Sequence, residues 1–283
     1  MKQKISVVIN TLNEERNIPY ALRSVHSWAD EIVVVDMHSE DRTVDIAREY
    51  GAKVYFHERI AAFDGARQFA IDQASNEWIL VLDADELIPE PLSRKLLDVI
   101  AEDKFDVVII PWLNYLLGTA LMYTGWGPNQ DKHPRLFRKG MITAFSTIHD
   151  FFKPVNGARI LELDYQENHA IVHFNYINTT HFIEKLNRYT SVEASQAHER
   201  GECASFVTMI YAPIKEFISR YVRKSGWRDG WRGFYLSCAM VFYRLSIFSK
   251  MKELESLGSA EDIKSLYLKE AERLLAEYGR YKQ

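Results

Sequence analysis

Up to about residue 115 the chain alternates between short apolar runs and amphipathic stretches of helical period. Ile5–Asn10, Ile32–Asp36, Ala52–His57, Glu77–Asp83 and Asp106–Pro111 read as strands. Between the first two, Glu15–Trp28 places Ile18, Ala21, Leu22, Val25 and Trp28 at helical spacing. Ser39 is positioned to cap a helix over Arg42–Tyr50. Ala61–Ala74 turns Phe63, Ala66, Ala70 and Ile71 inward, and Pro89–Ala101 opens on prolines, as helix N-termini often do. Strand–helix alternation of this kind predicts a parallel sheet covered by helices, an α/β fold.

Beyond Leu116 the pattern changes. Gly125-Trp126-Gly127-Pro128 is loop-like, and Pro134–Arg138, Ile142–Phe145, Arg159–Leu163 and Ala170–Phe174 read as short strands. From Thr179 the period is helical, with Phe182, Leu186, Tyr189, Ala194 and Ala197 on one face, followed by helices over Phe206–Lys224 and Gly233–Lys250. Ser259 and Asp262 resemble a capping box opening a last helix with Ile263, Leu266, Tyr267, Leu274 and Tyr278 on or near one face. The predicted organisation is an α/β domain over 1–178, divided near residue 115, and a helical region over 179–283.

Composition narrows this picture only slightly. With 283 residues, 47% of them hydrophobic, the chain can form a sizeable core, and a net charge of −4 gives no reason to expect a nucleic-acid partner. Cys203 and Cys238 have no metal-ligand spacing and read as small core residues in a reducing compartment. Met1–Lys4 leads straight into Ile5-Ser6-Val7-Val8-Ile9, too short a run for a signal-peptide core, and no stretch is long enough for an uncharged membrane span. A cytoplasmic location is expected.

The chemistry concentrates at strand ends. Trp78-Ile79-Leu80-Val81-Leu82-Asp83-Ala84-Asp85-Glu86 is an apolar run that ends in two carboxylates one residue apart. Such a pair can reach a hard divalent cation, whose shell substrate phosphates complete. Asn10, Asp36 and Asp83 all close strands, and open α/β sheets bind ligands outside those ends. Taken alone, an Asp-x-Asp is equally an acidic turn, and the lesser alternative for Asp36 is a helix-start carboxylate that favours the dipole.

Three motifs in order carry a resemblance: Ser6-Val7-Val8-Ile9-Asn10-Thr11-Leu12-Asn13-Glu14-Glu15, Val33-Val34-Val35-Asp36-Met37-His38-Ser39-Glu40-Asp41-Arg42-Thr43, and Leu82-Asp83-Ala84-Asp85-Glu86. Over about residues 5–175 the chain resembles glycosyltransferase family 2, with its GT-A nucleotide-binding fold. Arg135-Leu136-Phe137-Arg138, Ile148-His149-Asp150 and His173-Phe174-Asn175-Tyr176 resemble later motifs of the bacterial branch that builds lipopolysaccharide core and other surface glycans. Two departures stand out. Met37-His38-Ser39 replaces a Gly/Ser-rich turn, and Asp150 stands where a Glu often follows the His.

The resemblance implies an inverting hexosyltransferase that takes a UDP-sugar or related nucleotide-sugar donor and uses Mn²⁺ or Mg²⁺. Thr11, Asn13, Glu14, Asp36, Arg67, Asp83 and Arg135 would contact the donor, with Asp85, Asp83 and His173 toward the metal. Inversion needs a carboxylate to accept the acceptor hydroxyl's proton. Asp150 is the first candidate, with Glu86 and Asp131 as alternatives.

Tyr211–Lys252 contains nine Lys/Arg, two acidic residues and ten aromatics. Basic residues mixed with Trp and Phe suit an anionic bilayer surface, where a lipid-linked or envelope glycan acceptor would be met. A peripheral place at the inner face of the cell membrane follows. A buried helix or an oligomer interface has the same composition. Two other functions fit the fold class: a sugar-phosphate nucleotidyltransferase, for which Asn10–Arg16 lacks a Gly-rich basic loop, and a catalytically inactive surface scaffold. The sugar, the acceptor, the linkage and the oligomeric state are not set by these residues.

Overall fold

The computed structural model describes residues 3–59, 64–143, 152–258 and 260–278. Phe63, His149, Asp150 and Ser259, all used in the sequence reading, lie outside the described residues. The elements run β1 (Ile5–Thr11), α1 (Ile18–Val25), β2 (Glu31–Asp36), α2 (Thr43–Glu49), β3 (Lys53–Phe56), α3 (Asp64–Gln73), β4 (Trp78–Asp83), β5 (Glu86–Leu87), α4 (Glu90–Glu102), β6 (Val107–Leu116) and β7 (Thr119–Ala120). They continue with β8 (Lys132–Arg138), β9 (Ile142–Thr143), β10 (Lys153–Pro154), β11 (Ile160–Glu162), β12 (Ile171–Tyr176), α5 (Thr179–Glu199) and α6 (Phe206–Phe217). A π-helical turn (Ile218–Arg223) and a 3₁₀ turn (Gly226–Asp229) then lead into α7 (Gly230–Ser256) and α8 (Ala260–Tyr278).

The main sheet has the order β3-β2-β1-β4-β8-β6-β12-β5, with β7 and β11 also paired to β6. Strands β3, β2, β1 and β4 are mutually parallel, as are β6, β11 and β12, and β8 joins the two groups antiparallel to both neighbours. Every residue of β1 is buried, which explains its unbroken apolar run: a parallel strand covered on both faces does not alternate with polar residues. Ile5, Val7 and Ile9 pack on one face with Leu22, Leu92 and Leu96 of α1 and α4. Val8 lies on the other with Ala70, Ile71 and Phe137. A fully buried Leu at such a position contributes about 1.5–3 kcal/mol. The mostly parallel, helix-covered sheet with helices following it is the fold class expected.

Three local expectations are corrected. Ser39 does not cap α2: its Oγ donates to Asp36 Oδ2 at 2.5 Å, while Asp41 Oδ1 accepts the Thr43 N–H at 3.0 Å. Strand β6 does not stop at Pro111, because the next amide, Trp112 N–H, donates to Asp131 O at 2.8 Å and pairing resumes. Cys203 and Cys238 are exposed free thiols rather than core residues.

The chain forms two compact units, one of residues 1–182 with 218–237, the other of 183–217 with 238–283. In the second unit, Ala194 and Ala197 pack with Met251, and Lys250 Nζ donates to Asn187 O and Oδ1, Thr190 and Ser191. Tyr243 donates to Glu193 at 2.8 Å in the same unit. Along α6, Phe206, Val207, Ile210, Tyr211 and Ile214 remain exposed. Among the described residues no helix is long and apolar enough to cross a membrane.

At the end of the sheet where β1 begins, Glu31 ties three segments together. It accepts hydrogen bonds from Ser6 Oγ (2.5 Å), Ser75 N–H and Oγ (both 2.7 Å) and Lys53 Nζ (2.6 Å). Burial alone would raise its pKa, but these bonds override that and hold it near 2, against an ordinary 4.5. A depressed folded-state pKa stabilises the fold above the unfolded value, and the benefit fades as pH falls through the folded one. Glu31→Gln is therefore expected to cost about 1–3 kcal/mol at pH 7. Its gap from wild type should close between pH 4.5 and about 2, as followed by urea denaturation across pH.

Candidate active site

The parallel strands of the first half end at one edge. There Asn10 and Thr11 close β1, Asp36 closes β2 and Asp83 closes β4. Cα register sets Asn10 beside Asp83 and Thr11 beside Asp36. By strand alternation Asn10 shares the face of Val8, and Asp83 that of Val81.

A buried charge cluster occupies this face. Asp83 accepts hydrogen bonds from Arg67 Nη2 at 3.0 and 2.9 Å, one to each carboxylate oxygen, and from Arg135 Nη2 at 3.2 Å. Arg135 also donates to Glu86 Oε1 at 3.0 Å, and Glu86 Oε2 accepts the Asp83 N–H at 2.8 Å. Arg135 is 3% and Glu86 1% exposed. Burial pushes Asp83 up, but Arg67 and Arg135 outweigh it and hold its carboxyl well below the usual range. Glu86 moves the other way: burial raises it, Arg135 opposes, the Asp83 charge adds to the rise, and it stands at about 7.

Next to the cluster lies a chain of polar contacts. Asn114 Nδ2 donates to Trp126 O at 2.9 Å and Asp131 Oδ2 at 2.7 Å, so its Oδ1 faces His173 Nδ1 at 2.9 Å as an acceptor. Nδ1 of His173 must therefore carry a hydrogen. That leaves Nε2 toward Asp85 Oδ1, 3.5 Å away. Burial would lower the His173 pKa, but Asp85, with Glu86 and Asp83 behind it, raises it. Asp131 Oδ1 lies 2.6 Å from His133 Nε2. Burial is the main cause that depresses His133. The Trp112 ring fills the middle, with His133 at 4.3 Å, His173 at 5.1 Å and the Arg135 guanidinium at 4.4 Å. Trp126 stacks on Tyr176 at 5.6 Å. Gly127 is required beside it, because a Cβ there would sit 2.0 Å from Met122 O.

Two loops after β1 and β2 border the site and are laced to each other. Ser39 Oγ accepts the Asn13 N–H at 2.8 Å, Asn13 Oδ1 accepts the Glu40 N–H at 2.8 Å, and Thr43 Oγ1 accepts the Glu14 N–H at 2.8 Å. Asn13 and His38 both adopt left-handed backbone, φ 56° and 60°. His38 supplies the turn that a glycine would otherwise make, and Arg59 braces it by donating to Met37 O and His38 O. Asp36 is fully buried and spends both oxygens on Ser39. Glu14 accepts from Asn17 at 2.8 Å. By contrast, the side-chain N and O of Asn10 and the hydroxyl of Thr11 are buried with no hydrogen-bond partner among the described residues.

The structure thus brings Arg67, Asp83, Arg135, Glu86, Asp85 and His173 together, places Asn13 and Asp36 in loop bracing, and describes nothing at Asp150. Sequence reasoning placed Asn10 at the ligand edge without a named contact, and did not single out Trp112 or Asn114. A reading of β6 carried past Pro111 would have found the last two. For a divalent cation the donor set fits in part. Asp85 offers a carboxylate oxygen, and His173 offers Nε2 with its other nitrogen held by Asn114, the support a ligating imidazole usually has. Asp83 is taken up by the two arginines. Among the described residues no three His, Cys, Asp or Glu side chains form a group that could hold a metal ion by themselves.

The buried cluster yields a double-mutant test. Arg135→Met should destabilise by about 3–5 kcal/mol, because it strands Glu86 in the interior. Adding Glu86→Gln should recover part of that loss, measured as a non-additive ΔΔG by chemical denaturation.

The sequence is also similar to those of known proteins. The family model described as Glycosyl transferase family 2 matches residues 6–159. An uncharacterized glycosyltransferase of Rickettsia bellii (strain RML369-C) is 30% identical over 267 residues, covering 90% of this chain and 88% of that protein. The lipopolysaccharide core biosynthesis glycosyltransferase LpsC of Rhizobium meliloti (strain 1021) is 28% identical over 275 residues, covering 93% and 97%. A Mycobacterium tuberculosis glucosyl-3-phosphoglycerate synthase, solved with Mn²⁺, UDP and glucosyl-3-phosphoglycerate, superposes with a TM-score of 0.47 at 17% identity, covering 72% and 82%. The chain belongs to glycosyltransferase family 2.

Proposed function

We propose that this glycosyltransferase takes its sugar from a nucleoside diphosphate sugar, a UDP-sugar by preference. It passes the sugar with inversion to a hydroxyl of a lipid-linked or cell-envelope glycan at the cytoplasmic face of the membrane. The observation that carries the reading is the Asp85–His173 pair, oriented by Asn114, beside an Asp83 fixed by two arginines. Likeness to LpsC along nearly its whole length supports the envelope-glycan acceptor.

A bound Mn²⁺ or Mg²⁺ would offset the charge that grows on the departing nucleoside diphosphate. Asp85 and His173 are the residues to hold it. Arg67 and Arg135 keep Asp83 ionised and in place. Asn10 and Thr11 offer the unsatisfied donors and acceptors that a polar donor molecule can complete. Asn13, Glu14 and Asp36 shape the two loops around it. Glu86 acts as a positioning residue, since a carboxylate with no exposed surface and both oxygens engaged does not reach an acceptor hydroxyl. Asp131 is likewise committed to Asn114 and His133. The role of base falls to Asp150.

Asp85→Ala should abolish metal-stimulated turnover while leaving the melting temperature near wild type. Donor hydrolysis with and without Mn²⁺, beside a thermal melt, checks it, and unchanged turnover would refute the assignment. Asp150→Asn should slow transfer roughly 10²–10⁴-fold with donor affinity kept. Donor titration next to single-turnover rates reads both, and a variant that loses donor binding but keeps its rate per complex would move Asp150 to the donor side.

A further inference from the structure

In the first unit, residues 218–237 carry an exposed face that the reaction does not use. Trp227 and Trp231 are 59% and 60% exposed, and Ile218, Val222 and Phe234 are exposed with them. The segment holds five basic residues and one acid, Asp229. That acid is turned inward: its carboxylate accepts the N–H groups of Met122 and Tyr123 at 3.0 Å each and the Thr124 hydroxyl at 3.1 Å. Two of the cations point inward as well, Arg220 donating to Thr124 O and Arg232 to Leu117 O. Arg223 and Arg228 are left on the outside. Arg223 makes no ion pair among the described residues, and Arg228 lies over the Tyr123 ring at 4.3 Å.

The segment is not a loose tail. Thr124 N–H donates to Lys224 O, and Gly233 packs so closely on Gly226 that a Cβ would meet its carbonyl oxygen at 1.8 Å. The exposed aromatics are therefore held out by a braced scaffold. We propose that this face docks the catalytic unit on an anionic lipid bilayer, with Trp227, Trp231 and Val222 entering the interface and Arg223 and Arg228 meeting the headgroups. The chemistry favours this occupant. Indole rings prefer the membrane–water interface. Arginines without an ion pair are attracted to a negative surface, and the carboxylate of the segment's one acid is engaged by two backbone N–H groups. The same scaffold leads to the site, since the loop clamped by Asp229 continues to Trp126, whose carbonyl holds Asn114. The inference stands on this surface alone and does not depend on the reading of the reaction.

The test uses the full chain and vesicles of phosphatidylcholine with and without phosphatidylglycerol, at low and high salt, with no donor or acceptor present. Wild type should co-sediment with the anionic vesicles, less at high salt, and its tryptophan fluorescence should be quenched by brominated lipid. Arg223→Glu should weaken binding by roughly fivefold or more. Trp227→Ser with Trp231→Ser should remove most of the quenching. Melting curves of both variants establish that each is folded; all three positions are exposed, and Arg223→Glu provides a reading independent of the tryptophans. Equal binding to neutral and anionic vesicles, no binding to either, or folded variants that bind as wild type would overturn the proposal. So would a dimer in sedimentation velocity that the tryptophan changes dissolve, which would make the face a protein contact. Because the readout needs no turnover, failure here would withdraw the placement of the reaction at the membrane but leave the glycosyl-transfer chemistry untouched, and failure of that chemistry leaves this proposal standing.

Discussion

Everything at the working edge is arranged around Arg135. One guanidinium, almost without contact to water, joins the carboxylate that closes β4 to the carboxylate that opens β5. A buried cation needs compensating charge, and a buried carboxylate needs donors. Those two needs together fix where the chain can turn after Leu82. The turn in question carries Ala84 and Asp85, so the position of Asp85 is set by the ion pairs that flank it in sequence. Arg67 completes the charge balance from α3. The stacking of Arg135 on Trp112 extends the constraint to β6.

That arrangement explains what was readable in the sequence. Buried parallel strands leave long apolar runs, and β1, β2 and β4 were found within a residue or so of their ends. The acidic pair was legible because nothing but a strand end puts two carboxylates straight after such a run. Asn114 was not legible, because Pro111 reads as a stop and a proline in mid-strand is uncommon. Here the pairing of β6 with the antiparallel β8 shifts register between Val108 and Ile109, and Asp131 O takes the amide after the proline. The Ser39 expectation failed for a related reason. Local spacing cannot show that a serine is claimed by a loop 26 residues earlier.

In the helical part of the chain, composition carries no direction. Its arginines look alike on paper, yet Arg220 and Arg232 are internal fasteners while Arg223 points outward. Only the carbonyls of residues 117 and 124, about a hundred positions away, distinguish them. The same holds for Asp229, which by composition is an exception in a basic stretch and by geometry is what fastens it.

The Asp229 clamp also bears on how the molecule comes to be made. The backbone donors at Met122 and Tyr123 receive their acceptor from a residue 107 and 106 positions later. On a ribosome the loop that leads to Trp126 is thus synthesised well before the group that completes its hydrogen bonding. The sheet can assemble from local strand–helix pairs, but its rim closes late, and contacts of such separation are slow to form. A chain ended just after β12 would keep every strand of the main sheet and still lack this closure. The catalytic unit is continuous in space and interrupted in sequence.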